Sequence, residues 1–214
     1  MKDSSPVLRN GPSQSPATVA LAHGAGAPMD SPFMNSIALG LAAKNLQVLR
    51  FEFPYMAERR HGASKRPPNP ASVLVSCWRS AIQQMASHKN LFIGGKSLGG
   101  RIASMLADDV SAKGVVMLGY PFHPIGKSEK IRTSHLETLR TPGLILQGER
   151  DPLGNRTDVT QYKLSPSINI RWLTDGDHSF KPRKKSGITE EHNRQTAIKE
   201  IISFVNSILG NKPA

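Results

Sequence analysis

The amino-acid sequence predicts an α/β fold, a mainly parallel sheet of about six strands with helices on both faces. Two observations predict it. Short, nearly continuous apolar runs alternate with longer stretches of helical periodicity, as strands covered on both faces should. The runs also end in turns rich in Gly, Pro, Asp or His, at the strand ends where such sheets gather functional groups.

Taken in order, residues 1–16 are polar and Ser/Pro-rich and read as a flexible arm, leaving 17–214 as one domain. Ala17 to Ala22 is the first buried strand and runs into His23-Gly24-Ala25-Gly26. Ser31-Pro32 opens a helix, with serine as cap and proline in the first turn. Leu46 to Phe51 is the second strand, followed by a long loop from Met56 to Asn69 and a helix from Pro70 to Met85. Leu91-Phe92-Ile93 is a strand, Gly94-Gly95 turns it, and Ile102 to Ala107 is a helix. Gly114 to Leu118 and Gly143 to Gln147 are further strands, joined by a polar connection and a short helix near Ser134 to Leu139. A weak helix follows around Thr157 to Lys163, then a strand from Ile168 to Leu173. Thr189-Glu190 starts a final amphipathic helix through Ala197, Ile201, Val205 and Leu209.

No apolar run approaches a membrane span, and no secretory leader is visible. The single cysteine, Cys77, excludes an internal disulfide and falls in a helical pattern as a small apolar residue. A cytoplasmic location is the expectation. The net charge of +12 would permit nucleic-acid or anionic-membrane affinity. Aromatics are only 6%, however, and no RNA-binding signature or basic amphipathic helix appears, so no specific nucleic-acid or membrane partner is expected.

The chemistry centres on Gly95-Lys96-Ser97-Leu98-Gly99, a G-x-S-x-G pattern between a strand and a helix. The turn is sharp, and small residues on either side relieve its crowding. The pattern lacks the G-x-x-x-x-G-K-[ST] spacing of a phosphate loop. Ser97, Asp151 and His178 each fall just past a strand's carboxyl end, in the chain order Ser, Asp, His. A serine hydroxyl needs a neutral imidazole to take its proton. The imidazole in turn needs a carboxylate to fix its tautomer. Among the other histidines, His88 precedes a strand, His192 lies in the last helix, and His123 is the serious rival. Asp175 and Asp177 lie too close to His178 in sequence to orient its ring and read as turn residues. No metal-ligand spacing is present and no cofactor is required.

An acyl-transfer site also needs two backbone N–H groups for the carbonyl oxygen. Leu98 follows the nucleophile and is one candidate; Ala25, in the first loop, is the other. Together these segments resemble a small, lidless α/β-hydrolase of the dienelactone-hydrolase-like kind. Within that kind, Gly94 to Arg101, Gly119-Tyr120-Pro121-Phe122-His123-Pro124, Gly148 to Pro152 and Gly176 to Phe180 are similar to a narrower group. It includes the hydrolase-like domain of a nonspecific-lethal chromatin-complex subunit and its testis-expressed relative. The resemblance implies Ser97, Asp151 and His178 as the triad. It departs from dienelactone hydrolases proper in having serine, not cysteine, at the elbow.

The expected activity is hydrolysis of a small ester or thioester, with a non-catalytic interaction module as the alternative. Only 24 residues separate Leu118 from Gly143, too few for a helical lid. Lys96 and Tyr120 are the candidate substrate contacts. Two basic loops, with Arg59, Arg60, Lys65 and Arg66, and with Lys181, Arg183, Lys184 and Lys185, are expected to favour anionic substrates.

Overall fold

The computed structural model describes residues 7–64, 66–85 and 90–210. It begins with a strand for which the sequence carries no signal, β1 (Leu8–Asn10). Part of the expected flexible arm is therefore sheet. Arg50 explains why. This buried guanidinium donates to Asn10 Oδ1 at 2.8 Å, to Met29 O at 2.7 Å and to Asn35 Oδ1 at 2.6 Å. A three-residue polar strand has no periodicity to read, and its partner is forty positions away.

The remaining strands are β2 (Thr18–Ala22), β3 (Gln47–Phe51), β4 (Leu91–Lys96), β5 (Gly114–Leu118), β6 (Gly143–Gly148) and β7 (Ile168–Leu173). Their order is β1-β3-β2-β4-β5-β6-β7, seven strands rather than six. Only β1 is antiparallel; every other pair is parallel. The chain goes from β2 to β3 on one side and returns to place β4 on the other. The strand order therefore reverses at β2 and β4, whose carboxyl ends flank a crevice.

The helices are α1 (Pro32–Ala42), α2 (Pro54–Arg60), α3 (Ala71–Gln84), α4 (Leu98–Leu106), α5 (Arg156–Val159) and α6 (Glu190–Leu209). Ser31 Oγ caps α1 by accepting from Met34 N–H at 3.5 Å. Helix α2 replaces the first five residues of the expected long loop, Met56 to Arg60. Its turn is built on Pro54 at the first position, with Tyr55 and Met56 buried. Strands β2, β3, β5 and β6 are buried at every position, and successive side chains alternate between the two covered faces of the sheet. Val19 and Leu21 join α1 and α6 in one core, while Ala20 and Ala22 join α3 and α4 in the other. Trp78 is fully buried and meets Phe51 edge-on, with ring centroids 4.6 Å apart. No helix among the described residues is long and apolar enough to cross a membrane.

Candidate active site

Ser97 joins β4 to α4 with φ 50° and ψ −113°. A non-glycine residue held there costs about 1–3 kcal/mol, so the surroundings must over-determine it. They do so from two sides. Ser97 N–H donates to Leu118 O at 2.9 Å, and Arg101 N–H donates to Ser97 O at 3.0 Å. The glycines of the motif then let β2 pass beneath. A Cβ on Gly95 would lie 2.1 Å from the Ala22 carbonyl oxygen, and one on Gly99 2.3 Å from the same atom. The amides of Leu98, Gly99 and Gly100 precede the first intrahelical hydrogen bond, so they face outward as donors.

Asp151, past β6, is fully buried, and its carboxylate is held at three points. Oδ2 accepts from His178 Nδ1 at 2.7 Å and from Gln147 Nε2 at 2.9 Å, and Oδ1 accepts from Leu153 N–H at 2.9 Å. Because His178 donates from Nδ1, its Nε2 is left as the basic nitrogen. The loop carrying His178 is shaped by Asp177, whose Oδ1 accepts from Ser179 and Lys181 N–H at 2.7 and 3.0 Å. Asp175 is tied instead to Arg183 and Arg150. The hydrogen bond from Arg183 holds its carboxyl down to about 2. Both aspartates thus shape the turn, as their spacing from His178 implies.

The first loop is fixed by His23. Its Nε2 accepts from Phe53 N–H at 3.1 Å, which requires the proton on Nδ1, and Nδ1 lies 2.7 Å from Gly24 O. Full burial pushes this imidazole below its ordinary range, so it stays neutral. Tyr55 Oη donates to the same segment, 3.3 Å from Gly24 O and 3.2 Å from Ala25 O. Behind it, buried Glu52 accepts from Met29 N–H at 3.2 Å and from Arg60 at 2.6 and 2.8 Å.

Ser97 and His178 line one cavity of about 390 Å³, together with Gly24 to Ala27, Ser31, Phe33, Met34, Lys96, Leu153 and Ser179. Asp151 lies behind His178, outside the lining. Among the described residues the Ser97 hydroxyl has no hydrogen-bond partner. Ala25 lines the cavity and Leu98 starts α4 beside it.

Tyr120 is not brought to the cavity. It is fully buried, and its hydroxyl donates to Arg132 O at 2.7 Å on the α4 side of the sheet. The residue after a parallel strand can leave on either face, and Tyr120 turns into the core against Phe122. His123 also points elsewhere, with Nε2 3.4 Å from Asp158 Oδ2. Four arginines of the two expected basic loops have partners within the chain. Arg60 bridges Glu52 and Asp30, Arg59 lies over the Tyr55 ring at 5.3 Å, Arg66 faces Glu58 at 3.7 Å, and Arg183 holds Asp175. Lys65 and His88 lie outside the described residues. Of the described cations, Lys96 alone lines the cavity.

A second serine–histidine contact, Ser104 Oγ to His135 Nε2 at 2.9 Å, has a different character. Ser104 donates its proton to Arg101 O at 2.8 Å, so His135 must be the donor. Burial, with Arg101 nearby, pushes that imidazole down to about 4. The pair fastens the 3₁₀ turn at Ser134–Leu136 to α4. Sequence reasoning missed Gln147, whose Oε1 also accepts from Tyr120 N–H at 2.7 Å. A lone amide at the end of the apolar strand Leu144-Ile145-Leu146 was the available signal. No group of three metal-ligating side chains occurs among the described residues.

Strained Ser97 and the Asp151–His178 pair thus stand at the carboxyl edge of a mainly parallel α/β sheet. A family model described as an alpha/beta hydrolase domain matches residues 15–206, and the chain belongs to that family. Among solved structures it is similar to a serine hydrolase without a lid from Xanthomonas campestris. The identity is 17%, with 97% of this chain and 90% of that one covered and a TM-score of 0.72. It is also similar to an alpha-beta serine hydrolase homologue from Coxiella burnetii (18% identity, 91% and 90% covered, TM-score 0.70). A dienelactone hydrolase from Anabaena variabilis matches at 19% identity, 92% and 90% covered, with a TM-score of 0.68. At these identities the likeness carries the fold alone.

Proposed function

We propose that the chain is a serine hydrolase of small esters or thioesters, with Ser97 as nucleophile, His178 as base and Asp151 as its carboxylate partner. The observation that carries this reading is the 2.7 Å bond between His178 and Asp151 beside a cavity that His178 shares with strained Ser97. This chemistry requires Ser97 Oγ to reach His178 Nε2 within the cavity that both residues line; catalytic hydrogen bonds commonly tighten only when substrate binds.

Oγ attacks the substrate carbonyl carbon while Nε2 takes its proton. The carbonyl oxygen becomes an oxyanion, met by the amides of Leu98 and Ala25, a pair in which one donor is typically worth ~10²–10³ in rate. Collapse expels the alcohol or thiol, which takes the proton from Nε2, and leaves an acyl-Ser97 ester. Water, deprotonated by the same nitrogen, then attacks the acyl carbon; the bond to Ser97 Oγ breaks, Oγ takes the proton back from Nε2, and the acid is released. Throughout, Asp151 stabilises the charged imidazole without itself being protonated.

Phe33, Met34, Leu153, Ala25 and Ala27 give the cavity a largely apolar wall, which suits a short, uncharged acyl group. Arg59, Arg60, Arg66 and Arg183 of the basic loops have partners within the chain, so a preference for anionic substrates would rest on Lys96 and on Lys181, Lys184 and Lys185. The narrower resemblance to the chromatin-complex group adds nothing about substrate.

Fluorophosphonate labelling tests the proposal. Wild type should label, and Ser97→Ala should not. An ester and thioester panel should then show k_cat/K_M falling as the acyl chain outgrows the cavity. Failure of wild type to label would favour a non-catalytic interaction module.

A further inference from the structure

We propose that Lys96 is a positioning residue for His178, acting through the bond from its ammonium group to the His178 carbonyl. The inference rests on the proposed serine-hydrolase reading. Lys96 is the last residue of β4, and its side chain leaves on the α1 face, like that of Phe92. It runs buried along the strand ends to place Nζ 2.7 Å from His178 O, with the Phe33 ring centroid at 5.6 Å. The strand holding the nucleophile is thereby tied to the loop holding the base.

Gly119 shows how tightly these groups converge. With φ +65° it lies where a Cβ would be 2.8 Å from both Lys96 Nζ and His178 O, and 3.3 Å from His178 Nδ1. Bare backbone at this position leaves the ammonium, the carbonyl and the imidazole one shared space. A cation is the effective tether there. Three donors on a point charge hold a carbonyl more strongly than a neutral amine does.

The tether has a pH signature. Burial pushes the Lys96 ammonium down to about 8, against the opposing pull of Asp151 and Asp177. The ionisable groups facing it among the described residues are those two carboxylates and the His178 ring; α1 contributes the Phe33 ring and Met34, neither of which titrates. Lys96 is therefore charged at pH 7 and loses its proton as pH rises through about 8. Above that pH the His178 loop loses its cationic anchor.

The test uses wild type, Lys96→Met, Lys96→Arg and Lys96→Gln. In wild type the fluorophosphonate labelling rate should fall as pH rises through about 8. Lys96→Met should label about 10- to 100-fold slower at pH 7, the scale expected of a misplaced base, with no fall near pH 8. Lys96→Arg should recover part of the rate and move the fall to higher pH. Lys96→Gln, which keeps a donor but no charge, should resemble Lys96→Met in profile.

A second readout is independent of catalysis: the downfield Nδ1 proton of His178, observed by NMR in a Ser97→Ala background. It should broaden as Lys96 loses its proton, and be broad at all pH values in Lys96→Met. If wild type fails to label but this resonance follows Lys96, the hydrolase reading fails and the tether stands. An alkaline fall that persists in Lys96→Met, or a resonance indifferent to Lys96 and to pH, overturns the tether.

Discussion

Replacing His23 with leucine isolates what holds the first loop in place. The new side chain has similar volume, so the cavity term is small. Two hydrogen bonds disappear. Phe53 N–H, fully buried, is left with no partner, and a buried unsatisfied donor costs about 1–3 kcal/mol. Gly24 O keeps only the 3.3 Å bond from Tyr55, so its loss is a fraction of that. The expected destabilisation is about 2–4 kcal/mol. At roughly 2–4 °C per kcal/mol for a chain of this length, Tm should fall by about 4–16 °C.

The same variant has a pH signature. Burial lowers the folded-state pKa of His23, so the unfolded chain binds the extra proton first. Its contribution to stability is present above about 6.5 and is lost as pH falls toward the lowered value. His23→Leu should remove part of that acid sensitivity. Labelling of Ser97 should slow about tenfold or more, because the Ala25 amide is no longer held. Urea unfolding at pH 7.5 and pH 5, with labelling kinetics on the same samples, measures all three. A variant within 0.5 kcal/mol of wild type with unchanged labelling would refute the reasoning.

Gln147→Leu removes a donor from Asp151 and the acceptor of Tyr120 N–H. It should lower k_cat about tenfold, or ~1.4 kcal/mol of lost orientation, and leave K_M unchanged; steady-state kinetics on a short ester check this. Tyr120→Phe loses one hydrogen bond to Arg132 O and should cost about 0.5–1.5 kcal/mol in urea unfolding. Its K_M should match wild type, and a several-fold rise would return Tyr120 to the substrate cavity.

Much of this was legible from residue order alone. Ser31-Pro32 caps α1, the apolar runs form the parallel strands, and Gly95 and Gly99 flank a serine held at φ 50°. The rule that parallel sheets gather function at strand ends brought Ser97, Asp151 and His178 to one edge. Such features depend on near neighbours and on periodicity, which a linear sequence records directly. What only tertiary structure decided depends on which face a side chain leaves by and on partners far along the chain. Tyr120 turned inward, Arg59 and Arg60 met Tyr55 and Glu52, and Lys96 reached a carbonyl eighty-two residues away. A charge in a sequence has no partner written beside it. Whether it faces solvent, substrate or a buried carboxylate is set by the packing of two sheet faces, a long-range choice that no local pattern encodes.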